Sequence, residues 1–340
     1  MIPWRRGYSS IGLDVTAEAV RAVQLRRVRS GWDIHETLTV ARHGGGGGMD
    51  AAEARRIGTA LRRRKFVGGE IRLALPNSQL IRGLLEVEPG PDGDALLAAA
   101  EEVERTRRLE PGTYELAAWR PTGASAGRRA AVCVGGCTHA SAEAWLDGCA
   151  AGGWDVAVLD GRAHALGRVI GGPADAEAEG VTAVLDVDSD DAELVLLRGD
   201  EVLYQRPLPG EGLMKAEKPL VDAGIDPDAA RRGLRQRGLA EVRPGVDEAV
   251  RSAWRGYAEG LAHEVEPAFG YARRVFADLT IRGFALAGVA AEVPALEYEL
   301  RQRLRLEPAT RHALLPADDR GAAVALGMAL GGGEVAWAAA

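Results

Sequence analysis

The sequence predicts an α/β protein built from two copies of one architecture. Three observations lead there. Three strands in succession open the chain, at 9–15, 19–28 and 31–40, with an acidic turn after the first. The same order returns past residue 180 as VTAVLDVD, AELVLLRG and DEVLYQRPLP, with an acidic turn at Asp186–Asp191. Between the two, GPADAEAEG (172–180) is small, acidic and without period, which marks a hinge. Such a topology implies two halves with a cleft between them and says nothing yet about chemistry.

The bulk numbers agree. A length of 340 residues suits about two domains. A net charge of −7 argues against a general nucleic-acid binder. Cys133, Cys137 and Cys149 are odd in number and confined to one region, so they form no disulfide framework and suggest a reducing compartment. The opening MIPWRRGYSSIGLD has basic residues without the apolar run of a signal peptide. No apolar segment reaches the roughly 18 residues of a membrane span. The expectation is a soluble, cytoplasmic protein.

The elements follow in order. After the first three strands, HGGGGGMD (43–50) breaks the pattern, and AAEARRIGTALRRRKF reads as a helix with Ile57 and Leu61 four apart. EIRLALP and QLIRGLLEVEP are strands. DALLAAAEEVERTRRL is a helix opened by Asp92 and Asp94. TYELAAWRP and RRAAVCVGGC are strands, SAEAWLDGCAAGG a helix, WDVAVLD a strand and GRAHALGRVIG a short helix. In the second half the three strands precede helices near 213–237 and 246–275, the strand LTIRGFALAG, the helix VPALEYELRQRL and the closing helix RGAAVALGMALG.

Several motifs invite chemistry and fail on spacing. DVDSDDAEL looks like a calcium loop, but Asp191 and Leu197 stand where an EF-hand needs glycine and glutamate. Cys133-x₃-Cys137-x-His139 with Cys149 fits no standard zinc set, and Cys133 lies mid-strand, so these read as buried small residues. GGGGG (44–48) lacks the ending of a P-loop and reads as a flexible connection. ARRIGTALRRRK and AARRGLRQRG are basic helix faces, normally just solvated, which in a peripheral protein suit anionic lipid. The sparse histidines allow no hydrolytic triad.

The ordered set of segments IGLDVTAEAVRAVQL, LALPNSQLIRGLLEVEP, EEVERTRRLEPGTYELAAW, AWLDGCAAGGWDVAVLDGRAHALGRV, TIRGFALAGVAAEVPALEYEL and GAAVALGMALG resembles, nearly end to end, the type IV pilus assembly family PilM of the actin-like ATPase superfold. The resemblance implies duplicated actin-like (ribonuclease H-like) lobes with a cleft and a small inserted subdomain, shared with the division protein FtsA. Residues 1–71 and 159–180 would form the first lobe and 72–158 the inserted subdomain. The second lobe would span 181–318, with a closing helix and tail at 319–340.

It also implies a nucleotide site. Two hairpin turns would face the phosphates of ATP with their backbone N–H groups, and Asp14 and Asp186 would hold Mg²⁺ directly or through water. Thr16, Arg21, Asp188 and Gly288 would complete the cofactor contacts. The pattern departs from the family at three nucleotide contacts and in a later helix. Thr16 and Asp188 replace the turn glycines, Val289 replaces a second glycine after Gly288, and Ala230-Arg231-Arg232-Gly233-Leu234 lacks the family's glutamate and lysine. A β-branched residue forced to positive φ costs roughly 1–2 kcal/mol, and the Asp188 carboxylate would repel phosphate. Arg21 restores some positive charge, which leaves weak ATP binding open.

The function implied is a cytoplasmic scaffold of type IV pilus or related secretion assembly, peripheral to the inner membrane. It would bind the short cytoplasmic tail of a PilN-like inner-membrane partner, with weak or lost ATP and Mg binding and at most weak ATPase activity. An anionic membrane surface is a further expected partner; nucleic acid is not. The rivals are an ATPase or sugar kinase of the same superfold, which the lost glycines oppose, and a division-type filament protein. The tail GGGEVAWAAA is too short and uncharged for the amphipathic anchor of the latter.

Overall fold

The computed structural model describes residues 7–42, 48–88, 92–124, 129–171, 180–237, 246–276, 279–316 and 319–331. All but the last residue of the expected hinge at 172–180, most of the glycine run and nearly all of the C-terminal tail lie outside them. The chain divides into two compact units, Met1–Val169 with His312–Leu315 and Ala322–Ala340, and Ile170–Arg311 with Pro316–Gly321.

The first unit is organised by a five-stranded sheet in the order β3-β2-β1-β4-β8. Its centre is β1 (Ile11–Val15), whose every residue is buried, as suits a short strand covered on both faces. It pairs antiparallel with β2 (Ala19–Val28), which pairs antiparallel with the edge strand β3 (Gly31–Ala41). On its other side run β4 (Glu70–Leu75) and then β8 (Asp155–Gly161), both parallel. Helix α1 (Ala51–Arg63) connects β3 to β4. Asp50 caps it, accepting from Glu53 N at 2.7 Å, and Ile57 and Leu61 go into the core with Leu13, Ile71 and Leu73.

A separate three-stranded antiparallel sheet, β5-β7-β6, lies between β4 and β8 in sequence. It is made of β5 (Leu80–Val87), β6 (Tyr114–Trp119) and β7 (Ala130–Thr138) and is covered by α2 (Asp92–Arg107). Its small core contains Ile81, Val87, Ala99, Val103, Val132 and Val134. Helix α3 (His139–Ala151) then returns the chain to β8, packing Trp145 and Cys149 against the core under α1.

The second unit repeats the sheet order with different strands: β11-β10-β9-β12-β13. These are β9 (Val181–Val187), β10 (Asp191–Arg198), β11 (Glu201–Pro209), β12 (Ile281–Gly288) and the two-residue β13 (Glu307–Pro308). Again three antiparallel strands are followed by parallel ones, so the duplication expected from the strand pattern is present. One helix differs from the sequence reading. The expected helix over 213–237 is two, α5 (Met214–Asp222) and α6 (Pro227–Arg237). Gly224 turns the chain at φ 86° and Asp226 accepts from Ala229 N at 3.0 Å, starting α6 anew. Helix α7 (Val246–Val275) buries Trp254, Leu261, Val265 and Phe269, and α8 (Leu296–Leu304) buries Leu296 and Leu300. Among the described residues no helix is long and apolar enough to cross a membrane.

The first unit is completed by α4 (Arg162–Leu166), directly after β8, and α9 (Ala323–Leu330). Helix α9 lies backbone to backbone on both β1 and α4. A Cβ on Gly12 would come within 2.1 Å of the Ala325 carbonyl oxygen, and one on Gly327 within 2.0 Å of that of Ala165. Overpacking of this kind costs about 1–3 kcal/mol. Gly12→Ala and Gly327→Ala should each lower the free energy of unfolding by at least that amount in urea titrations. Gly256→Ala, at an exposed position on α7 with nothing near its Cβ, should raise it by about 0.5–1 kcal/mol.

Candidate functional site

The predicted site residues fall into two local sets, one at the end of β1 and one at the ends of β9 and β12. At the first, Thr16 closes the β1–β2 hairpin. Its N–H donates to the Ala19 carbonyl at 2.9 Å, and its hydroxyl accepts from Ala19 N at 3.1 Å. Thr16 has no positive φ, so the strain expected of a β-branched residue in a glycine's place does not arise. The threonine instead uses its own side chain to hold the turn. Arg42 clamps it from β3's end, donating to the Thr16 carbonyl at 3.0 Å while it pairs with Glu53 of α1 at 3.0 Å.

Asp14, two residues before, is fully buried. A lone buried carboxylate is costly, and here it is compensated: the Arg162 guanidinium, itself buried, donates to Asp14 Oδ1. In the β1–β2 register Asp14 also stands directly opposite Arg21, which is buried too. Sequence reasoning found Asp14 and Arg21 but missed Arg162. The two partners lie 148 positions apart, and the one local signal is a lone arginine amid the small residues of DGRAHALG.

In the second set, Asp186 on β9 is buried and lies in register opposite Glu193 on β10, which is equally buried. Where the first unit sets a cation opposite its aspartate, the second sets another acid. Glu193 was also missed; its signal is an acid at an inward position of AELVLLRG. Asp188 caps its own turn. Its N–H donates to the Asp191 carbonyl at 2.9 Å and its Oδ1 accepts from Ser189 N at 3.1 Å. The first N–H groups of α5 point into the same turn. Those of Leu213 and Met214 donate to the carbonyls of Asp188 and Ser189, each at 3.0 Å.

Gly288 closes β12 at φ 71°. A Cβ there would lie 2.4 Å from the Val187 carbonyl oxygen and 2.7 Å from Asp186 Oδ1, so the fold itself demands glycine at this point. Val289, next in sequence, is buried and begins a 3₁₀ turn over Val289–Glu292. Beyond it is a pocket of about 510 Å³ that sequence reasoning did not anticipate. In its wall Glu297 holds both Arg311, at 2.7 Å, and Arg320, at 3.1 Å.

The cysteines take no part. Cys133 and Cys149 are buried, and burial pushes the Cys149 thiol up to about 12 and raises that of Cys137, opposite to the lowered pKa of metal-bound thiols. Of the two aspartates expected to hold Mg²⁺, Asp14 already has the Arg162 guanidinium on its Oδ1.

With this geometry in view, solved structures identify the architecture. The chain superposes on a protein of a PilM-PilN type IV pilus biogenesis complex with a TM-score of 0.74 and 22% identity, covering 95% of this chain and 98% of that one. The chain has the actin-like ATPase fold. Ethanolamine utilization protein EutJ from Carboxydothermus hydrogenoformans matches over 97% and 92% of the two chains, at TM-score 0.56 and 13% identity. Component A of the (R)-2-hydroxyglutaryl-CoA dehydratase of Acidaminococcus fermentans matches over 95% and 96%, at 0.50 and 13%. No protein-family model matches the sequence, and no curated protein does.

The buried pair sets a stability test. Removing one partner of a buried ion pair leaves an uncompensated charge and costs about 3–5 kcal/mol. Arg162→Met should destabilise the chain by up to that amount in urea unfolding, Arg21 still facing Asp14, and adding Asp14→Val should not recover the loss, because Arg21 is then buried without the carboxylate opposite it.

Proposed function

We propose that this chain is a cytoplasmic actin-like scaffold for assembling a type IV pilus or a related secretion machine. It sits beside the inner membrane and captures the short cytoplasmic tail of a PilN-like partner. The observation that carries this reading is the end-to-end likeness to the protein of the PilM-PilN complex. The inserted subdomain of the proposal is residues 72–158, which contain the three-stranded sheet of Leu80–Thr138. An extended tail binds by pairing with a strand edge or filling a groove, and β5 and β6 are the sheet's two edge strands.

The scaffold works without catalytic turnover. Its first phosphate-type turn is satisfied by its own side chains, with Thr16 hydrogen-bonded across the turn and Asp14 bound to Arg162. Phosphoryl transfer relies on metal ions and positioned groups to meet developing charge, and here a fixed internal cation takes the carboxylate first. In the second turn the Asp188 carboxylate accepts from Ser189 N, and the first N–H groups of α5 go to the carbonyls of Asp188 and Ser189. ATP and Mg²⁺ binding is accordingly weak or lost.

Two measurements test this. A synthetic peptide from the cytoplasmic tail of the membrane protein encoded next to this chain should bind in titration calorimetry with modest affinity, since ordering a flexible tail opposes binding. No heat and no change in melting temperature would remove the scaffold reading. Separately, a ligand at a hundred times its Kd stabilises a protein by about 2.7 kcal/mol, so Mg-ATP at millimolar level should leave the melting temperature almost unmoved. Micromolar binding of Mg-ATP would show that the turns still work as a nucleotide site.

A further inference from the structure

We propose that the end of the first unit remote from its phosphate-type turn is a docking face for an anionic lipid bilayer. The direction of the chain defines that end. The Thr16 turn lies where β1 finishes and α1 begins, since Arg42 joins Thr16 to Glu53. The β2–β3 hairpin and the last turn of α1 lie where β1 starts. There Tyr8 bridges Arg26, Arg27 N donates to the Gly7 carbonyl at 2.7 Å, and β4 sets off from Glu70.

Two sequence-distant segments meet at this end. The Gln24 side chain exchanges two hydrogen bonds of 2.8 Å with the Val67 backbone, and His35 Nε2 lies 3.3 Å from the Lys65 carbonyl oxygen. Tyr8 stacks edge-on against His35 at 4.7 Å. Onto this joint the sequence loads cations. Arg62, Arg63, Arg64 and Lys65 are consecutive and all exposed. Arg27 and Arg29 extend the patch on the hairpin, where both are exposed. Among the described residues, none of these six is in an ion pair.

The acids here do not cancel them. Asp33 is taken by Arg26 at 2.8 Å, and the acids left near the patch, Glu36, Glu70 and Asp155, are half as many as its six cations. In a chain of net charge −7 this is a local reversal of sign. Trp32, 37% exposed, stands in register opposite Arg27 on the edge strand. An exposed indole among basic residues suits the headgroup level of a bilayer, where its apolar body and N–H both find partners. Clustered Lys and Arg beside a membrane bind anionic lipid, each residue worth about fivefold in partition. The acidic remainder of the chain opposes a nucleic acid, which would extend beyond the patch.

This inference rests on the proposed function only for the presence of a membrane, and it is measured without the tail peptide. The full chain is sedimented with vesicles of phosphatidylcholine alone and of phosphatidylcholine with phosphatidylglycerol. It should associate only with the anionic vesicles and release at about 1 M salt, where the Debye length is about 3 Å. The triple change Arg62→Ala, Arg63→Ala and Arg64→Ala should weaken the association about a hundredfold. An equal charge change on the three-stranded subdomain, Arg105→Ala, Arg107→Ala and Arg120→Ala, should leave it unchanged. Trp32→Ala should weaken it without altering its salt dependence. Absence of anionic-vesicle binding by the natural chain, equal losses in the two triple variants, or tighter binding to a nucleic-acid duplex than to the vesicles would overturn the proposal. Vesicle binding that persists while the tail peptide fails to bind would sink the partner reading alone.

Discussion

The first unit depends on one close approach, that of helix α9 to strand β1. Side chains normally hold a helix and a strand apart, yet here the Ala325 carbonyl and the hydrogen on Gly12 leave no room for a methyl group. The contact joins the last described helix to the first strand, so this unit is built from segments far apart in sequence. It also explains the composition of α9: Ala323-Val324-Ala325-Leu326-Gly327-Met328-Ala329 is buried throughout. A helix surrounded on all sides needs small residues where backbones touch and larger ones where they do not. Gly327 makes the same allowance toward Ala165 of α4. Because α4 carries Arg162 at its first position, the packing of α9 bears indirectly on where that guanidinium meets Asp14.

From that constraint follows the contrast between the two halves. Both contain a strand, an acidic hairpin and a parallel neighbour, and both put a buried aspartate at the equivalent place. The residue opposite it differs: Arg21 in one, Glu193 in the other. With Arg162 added, the first aspartate lies in a cationic environment, where its charge is stabilised and already spent. The second sits against an acid and against the glycine backbone of Gly288. Duplication thus preserved the frame while the charges at its centre diverged.

Much of this was legible in the sequence, for a physical reason. Strand order and the antiparallel hairpins follow from apolar runs and turns, which are local. IGLDV reads as a strand from its apolar residues and the turn after it, and the structure adds that it is central and buried on both faces. What escaped was non-local. Arg162 has no period and no motif, and its meaning comes only from a partner 148 residues away. The break between α5 and α6 was within reach, because Gly224 followed by Asp226 is a stop and a start, but amphipathic residues on both sides masked it. The supposed strain at Thr16 was wrong because the family's glycine was taken to imply a positive φ. A hydroxyl that bonds across its own turn does without one.

These observations give the first unit a polarity. At one end the Thr16 hydroxyl and carbonyl and Asp14 Oδ1 are held inside the protein, by Ala19, Arg42 and Arg162. At the other end α1 finishes in four successive cations that the described part of the chain does not neutralise. Helix chemistry accounts for part of this, since cations at a C-terminus are stabilised by the helix dipole. That effect is worth at most about 1 kcal/mol at exposed positions and fades beyond the last turn. It does not reach the arginines of the β2–β3 hairpin, which belong to a different element and have no dipole to complement. Their convergence with α1 on one surface is therefore a property of the fold rather than of the helix, and it is there that the chain has charge to offer an outside partner.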